Sequence, residues 1–66
     1  MQLIITNHAR DQMHNRGIEK ELIIRAIKQG AKLRQSDGFL AAYSYIRVAY
    51  RVDGDCYIIK TVMISD

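Results

Sequence analysis

Two Asp-Gly pairs, Asp37-Gly38 and Asp53-Gly54, constrain this chain more than any other feature. Each is flanked by residues that alternate apolar and polar, and that combination is a strong local signal for a β-hairpin. The pairs predict strands near 31–36, 39–44, 46–52 and 55–64. Between the second and third of these, Tyr43-Ser44-Tyr45 contains no glycine. Either a tight turn at Ser44-Tyr45 or one long bent strand fits that segment.

Upstream of residue 31 the apolar period is helical rather than alternating. A first helix is expected from His8 to Arg16, with Ala9 and Met13 as an i,i+4 apolar pair. Thr6 or Asn7 can cap its start, because either side-chain oxygen accepts from an unpaired helix amide. Gly17 supplies the stop. A second helix from about Glu19 to Gln29 carries Leu22, Ile23, Ala26 and Ile27 on one face, and Gly30 closes it. Ile18 can pack on Ile23 as a hydrophobic staple. Leu3-Ile4-Ile5 precedes both helices, as a short edge strand or a plug for the core. The expected fold class is therefore α+β: two N-terminal helices packed on a three- to four-stranded antiparallel sheet, forming a single domain over residues 1–66.

Sixty-six residues leave little material for a deep cavity. A chain of this size buries only about 60% of the surface its unfolded form exposes. A shallow site, or one shared between subunits, suits it better. The lone cysteine, Cys56, has no internal disulfide partner. A small secreted domain usually needs such staples, so a reducing, cytoplasmic setting is expected. No secretory leader is recognisable in Met1 to Thr6, and no apolar run approaches the roughly 20 residues of a membrane helix. A membrane partner is not expected. Ten Lys/Arg against seven Asp/Glu give a net charge of +3, which suits an anionic partner such as RNA, DNA or an acidic protein.

The second Asp-Gly pair allows facing residues to be worked out. A two-residue loop at Asp53-Gly54 sets Val52 opposite Asp55, Tyr50 opposite Tyr57, Val48 opposite Ile59 and Ile46 opposite Thr61. That largely apolar face should meet the helices. The other face then carries Tyr45, Arg47, Ala49 and Arg51 beside Cys56, Ile58, Lys60 and Val62. Arg47 falls opposite Lys60, and like charges across a sheet repel. Such a pair is either solvated or holds an anion between its members. The second option makes Arg47, Lys60 and Arg51 a phosphate-binding set, with Tyr45 alongside for stacking or proton transfer. Moving the turn to Gly54-Asp55 keeps these faces, whereas a three-residue loop swaps them.

The segment His8-Ala9-Arg10-Asp11-Gln12-Met13-His14-Asn15-Arg16-Gly17-Ile18 resembles the opening of a family of small bacterial domains of unknown function, DUF4258. Its members begin with a His-Ala pair, then Met, then Arg-Gly-Ile. The resemblance continues through the second helix to Lys60-Thr61-Val62. That family is distantly similar to the BrnT-type and RelE-type toxins of toxin–antitoxin pairs, which are ribonucleases that use no metal. What the resemblance implies is a helical N-terminus on an antiparallel sheet, RNA as substrate, an antitoxin-like protein as partner and no cofactor. It points to His8, Arg16 and Thr61. One departure is Glu19, where the family often has a Ser or Thr cap on the second helix.

Metal-free RNA cleavage needs a base for the 2′-hydroxyl, a cation for the developing phosphate charge and an acid for the leaving oxygen. Histidine suits the acid or base role and arginine the phosphate role. The candidate catalytic residues are accordingly His8, Arg16, Arg47 and Thr61. The candidate RNA contacts are Arg47, Arg51, Lys60 and Tyr45. Two helical turns, about 12 Å, separate His8 from Arg16, which suits an extended ligand better than one phosphate. Each of these residues also has a structural reading. His8 can lock the helix start to the sheet, Arg16 can cap the last carbonyls, and Thr61 can satisfy a buried partner. His8 and His14 are badly spaced for one metal, and no zinc pattern is present. Whether the chain is an enzyme stays open at this point. The alternative to a toxin-like ribonuclease or RNA-binding protein is a non-enzymatic interaction module, a homodimer or a binder of another protein.

Overall fold

A computed structural model describes residues 1–65. Its element order is β1 (Gln2–Ile5), α1 (Asn7–Arg16), α2 (Lys20–Gln29), β2 (Ala31–Gln35), β3 (Gly38–Tyr43), β4 (Ile46–Asp53) and β5 (Cys56–Ile64). The α+β class is as expected, but the sheet is larger and differently built. It has five strands in the order β1-β5-β4-β3-β2, and it is mixed. β1 runs parallel to β5, with Leu3 beside Tyr57 and Ile5 beside Ile59. The remaining neighbours are antiparallel. Of the two readings of Leu3-Ile4-Ile5 the edge strand holds, but its parallel partner lies at the far end of the chain and takes the sheet beyond three to four antiparallel strands. Alternation within Leu3-Ile4-Ile5 says nothing about a partner so distant.

Both helices begin and end for local reasons. The Thr6 hydroxyl accepts from the Ala9 amide at 3.2 Å and donates to the Ile59 carbonyl at 2.9 Å. One side chain thus caps α1 and ties it to β5. Gly17, at φ 65°, ends α1 in the left-handed region. The Ile18 amide donates back to the Met13 carbonyl and the Gly17 amide to that of His14. This pair of bonds, with Met13 and Ile18 both buried, is a Schellman ending with its apolar contact. α2 starts at Glu19 without a side-chain cap. It relies instead on its apolar face, where Ile23, Ala26 and Ile27 are buried. At its end a Cβ on Gly30 would collide with the carbonyls of Ala26 and Ala42, so only glycine lets the chain pass from α2 into β2.

Both helices pack on the same side of the sheet. Ala9, Met13, Ile23, Ala26 and Ile27 join Ala41, Ile46, Val48, Tyr50, Ile59 and Val62 in one apolar core. Phe39, Tyr50 and Tyr57 form a row of rings in this layer, with centroids 5.7 and 6.0 Å apart. Where β1 stops, the β5 edge would be left unpaired. There the Val62 amide donates to the Gln12 side chain at 2.8 Å, so a residue of α1 continues the pairing that β1 began.

The hairpins occur where the Asp-Gly pairs predict them, but their loops are displaced by one residue. Gln35 pairs with Gly38, leaving Ser36-Asp37 as the first loop. Asp53 pairs with Cys56, leaving Gly54-Asp55 as the last. Tyr43 pairs with Ile46, so the middle connection is a tight Ser44-Tyr45 turn, in which Ser44 takes φ 53°.

Candidate functional site

The helices leave the opposite side of the sheet uncovered. Its layout follows from one irregularity in the last hairpin. Tyr50 pairs with Ile59, but Ala49 pairs with Thr61, so Lys60 is an extra residue on β5. This β-bulge changes which residues face the helices beyond it. Ile59 and Val62 are both fully buried, three positions apart in a strand. A regular strand cannot do that.

Several register expectations change as a result. Thr61, expected on the core face, stands opposite Ala49 on the uncovered face, and Val62, expected outside, is core. Arg47 stands opposite Met63 rather than Lys60, and Arg51 opposite Ile58. The displaced loop alone would have preserved the faces; the bulge is what moves them. The signal was present in the sequence as the broken alternation Ile59-Lys60-Thr61-Val62.

The uncovered face reads as rows across the strands. Thr61, Ala49, Leu40 and Leu33 form a central, mainly apolar row. Met63, Arg47 and Ala42 flank it on one side, and Ile4, Ile58 and Arg51 on the other. Two arginines therefore bracket an apolar floor that carries one hydroxyl. Arg47 is held in place: its Nη1 donates to the Ile46 carbonyl at 2.8 Å and to that of Ser44 at 3.5 Å. Its other guanidinium donors are left for a ligand. Arg51 is exposed and makes no ion pair or side-chain hydrogen bond among the described residues. Lys60 reaches across β4 to Asp37, donating to its carbonyl at 2.7 Å and lying 3.4 Å from its carboxylate. Such a solvated ion pair is worth little, so Lys60 can exchange Asp37 for another anion.

The remaining candidates lie elsewhere. Tyr45 sits in the Ser44-Tyr45 turn and lines a shallow hollow of about 290 Å³ with Gly17, Glu19, Glu21, Leu22 and Arg25. It faces the start of α2 rather than standing beside Arg47 and Lys60. His8 and Arg16 are exposed on α1, whose buried residues Ala9 and Met13 face the covered side. Among the described residues no side-chain hydrogen bond joins His8, Arg16 and Thr61. The tie between helix start and sheet that His8 could have made is made by Thr6. The candidate quartet is thus divided, with Arg47 and Thr61 on the uncovered face and His8 and Arg16 on α1. Tyr50 belongs to the covered layer; burial first, and neighbouring Tyr57 second, push its hydroxyl above the ordinary tyrosine value. It stays protonated and is no base near neutral pH. Among the described residues no cluster of three or more His, Cys, Asp or Glu could hold a metal ion.

The family model of a domain of unknown function, DUF4258, matches residues 5–64. The chain belongs to this family. The matched span of the DUF4258 chain runs from the end of β1 through β5, so it includes both helices and nearly the whole sheet. No curated protein matches the chain. Among solved structures, the DUF4258 fold is similar to a chain in the crystal structure of the RelBE2 toxin–antitoxin complex from Mycobacterium tuberculosis. The TM-score is 0.69 at 20% identity, and the similarity covers 96% of this chain and 95% of that one. At that identity the likeness is one of fold. No helix of the DUF4258 chain is long and apolar enough to cross a membrane.

Proposed function

We propose that this domain is a toxin-like RNA-binding protein that grips phosphate on its uncovered sheet face. The observation that carries the reading is the pair Arg47 and Arg51 on either side of the Thr61–Ala49–Leu40 row. A guanidinium fork suits a phosphate oxygen pair, and an apolar floor between two such forks accepts a base or ribose lying flat. Lys60 adds a third cation once it releases Asp37. The net charge of +3 and the toxin–antitoxin complex to which the fold is similar favour the same reading. An antitoxin-like protein is the corresponding partner.

Binding is favoured over unaided cleavage. Both histidines of the chain, His8 and His14, belong to α1 rather than to the uncovered face. A cleavage reading keeps Arg47 as the phosphate cation and Thr61 as a positioned hydroxyl, and needs His8 and Arg16 to reach the RNA from α1. A non-enzymatic protein contact is the second reading, favoured by the exposure of Ile4, Met63 and Leu33 on the same face.

The test is fluorescence anisotropy with a labelled single-stranded RNA across a salt series. Replacing Arg47 and Arg51 together by Ala should weaken binding and reduce the salt slope by about 1.4, two phosphate contacts on a single strand. Circular dichroism should show the variant still folded. No binding by the unaltered protein at low salt sinks the RNA reading and leaves the protein contact. Shortening of the RNA during the measurement, lost in His8→Ala, establishes the cleavage reading.

A further inference from the structure

β2 is the outer edge of the sheet beyond β3, and all five of its residues are exposed. Edges of this kind offer a row of main-chain donors and acceptors to any extended segment. β2 contains neither proline nor a bulge to discourage that. What it does carry is an alternation of character. Ala41 is buried among the core residues and stands opposite Lys32, so Lys32 and Arg34 project on the helix side. Leu33, 64% exposed, projects on the uncovered face beside Leu40.

This alternation decides what can pair there. A second copy of the chain, related by a two-fold axis through the edge, would pair β2 antiparallel with itself. Centred on Leu33, the register sets Lys32 of one copy against Arg34 of the other, twice. Centred on Lys32 or on Arg34, it sets that cation against itself. Like charges directly across a sheet destabilise it, so β2 discriminates against its own copy. The same two cations attract carboxylates at the same two positions. Arg34 is already oriented, its guanidinium 6.0 Å from the centroid of the Phe39 ring.

We propose that β2 is a docking edge for an extended segment of a partner protein that reads acidic–apolar–acidic. The acidic residues lie opposite Lys32 and Arg34, and the apolar one lies opposite Leu33. Main-chain hydrogen bonds hold the segment, and the alternate side chains select it. Its central apolar side chain extends the row Thr61–Ala49–Leu40–Leu33 by one residue. The site is separate from the Arg47/Arg51 pair and does not depend on RNA binding.

The test uses isotopically labelled protein, with no RNA present, and the blocked peptide Thr-Glu-Leu-Glu-Thr. The control peptide is Thr-Lys-Leu-Lys-Thr. The acidic peptide should shift the amide signals of Ala31–Gln35 and slow their hydrogen exchange, whereas the basic one should do neither. Lys32→Glu combined with Arg34→Glu should weaken the acidic peptide about tenfold and confer binding of the basic one. Unchanged β2 amides at millimolar acidic peptide overturn the proposal. So do equal responses to both peptides, or shifts confined to the Arg47–Arg51 face. Because the readout contains no RNA, a failure of the RNA reading leaves it intact.

Discussion

The two faces of the sheet are made by the same strands and differ in almost every other respect. The covered face is a continuous apolar layer in which Ile23, Ile46, Val48, Ile59 and Val62 are fully buried. The uncovered face alternates small and apolar residues with cations, of which Arg47 and Lys60 donate to main-chain carbonyls and Lys60 also pairs with the Asp37 carboxylate. In so small a domain, one side of the sheet supplies most of the stability and leaves the other side free to vary. The bulge at Lys60 is where the two assignments meet, because it keeps Val62 in the core while turning Thr61 outward.

The contrast is most open to breakage by paired substitutions on β5. Ile59→Ala should cost about 3 kcal/mol, since it empties a fully buried site against α1. Thr61→Ala should stay within about 0.5 kcal/mol, as expected of a position outside the core. Urea unfolding of both variants checks this. Equal losses would mean that Thr61 is structural and that the uncovered face is not free.

Deleting Lys60 sharpens the same point. It removes the extra residue and leaves Ile59-Thr61-Val62 as a regular strand with the facing already present. The shortened chain should fold, with a loss of about 1 kcal/mol, because what disappears is the tie to Asp37 and the local twist. A chain that no longer folds would show that the bulge shapes the core as well as the outer face.

The smallest effect belongs to Tyr50. Burial, then Tyr57, raises its folded-state pKa above the ordinary tyrosine value. The folded protein therefore holds this proton more tightly than the unfolded chain does. That contribution is complete below the ordinary value and is lost as pH rises through the folded one. Tyr50→Phe should flatten the alkaline decline in unfolding midpoint; an unchanged decline would place its cause elsewhere.

Local chemistry made the helices and hairpins readable. Gly17, Gly30, the Thr6 cap and the two Asp-Gly pairs all act within a few residues of one another. Even so, the loops shifted by one. Gly38 is needed inside β3, where a Cβ would meet the Tyr50 carbonyl, rather than in the turn itself. Of the two options at Ser44-Tyr45 the tight turn holds, and the absence of glycine left it open because Ser44 takes a backbone conformation usually left to glycine. β1 was legible as an edge strand or a plug, but not its parallel pairing, because only β5 reveals what it pairs with. At the candidate site the facing of Arg47 and Arg51 was legible from alternation, since the extra residue is on β5 and leaves the alternation of β4 intact. The facing of Thr61 and Val62 is the reverse of the expected one because a single extra residue, Lys60, reverses the parity of everything after it. Tyr45 does not join the Arg47 row because it belongs to the Ser44-Tyr45 turn, where alternation along β4 does not govern its direction.

The parallel pairing of β1 with β5 has a consequence for how the domain comes together. β5 is the latest of the elements in chain order, yet it lies between β1 and β4 in the sheet. During synthesis β1 and α1 emerge first and must wait, their apolar sides unsheltered, until β5 has followed. α2 and the β2–β3–β4 meander can form early from nearby contacts, whereas joining β1 and α1 to β5 closes a loop through most of the chain. Assembly should therefore be slow at its last step, and Thr61 and Lys60 join the Arg47 and Arg51 strand only at that closure.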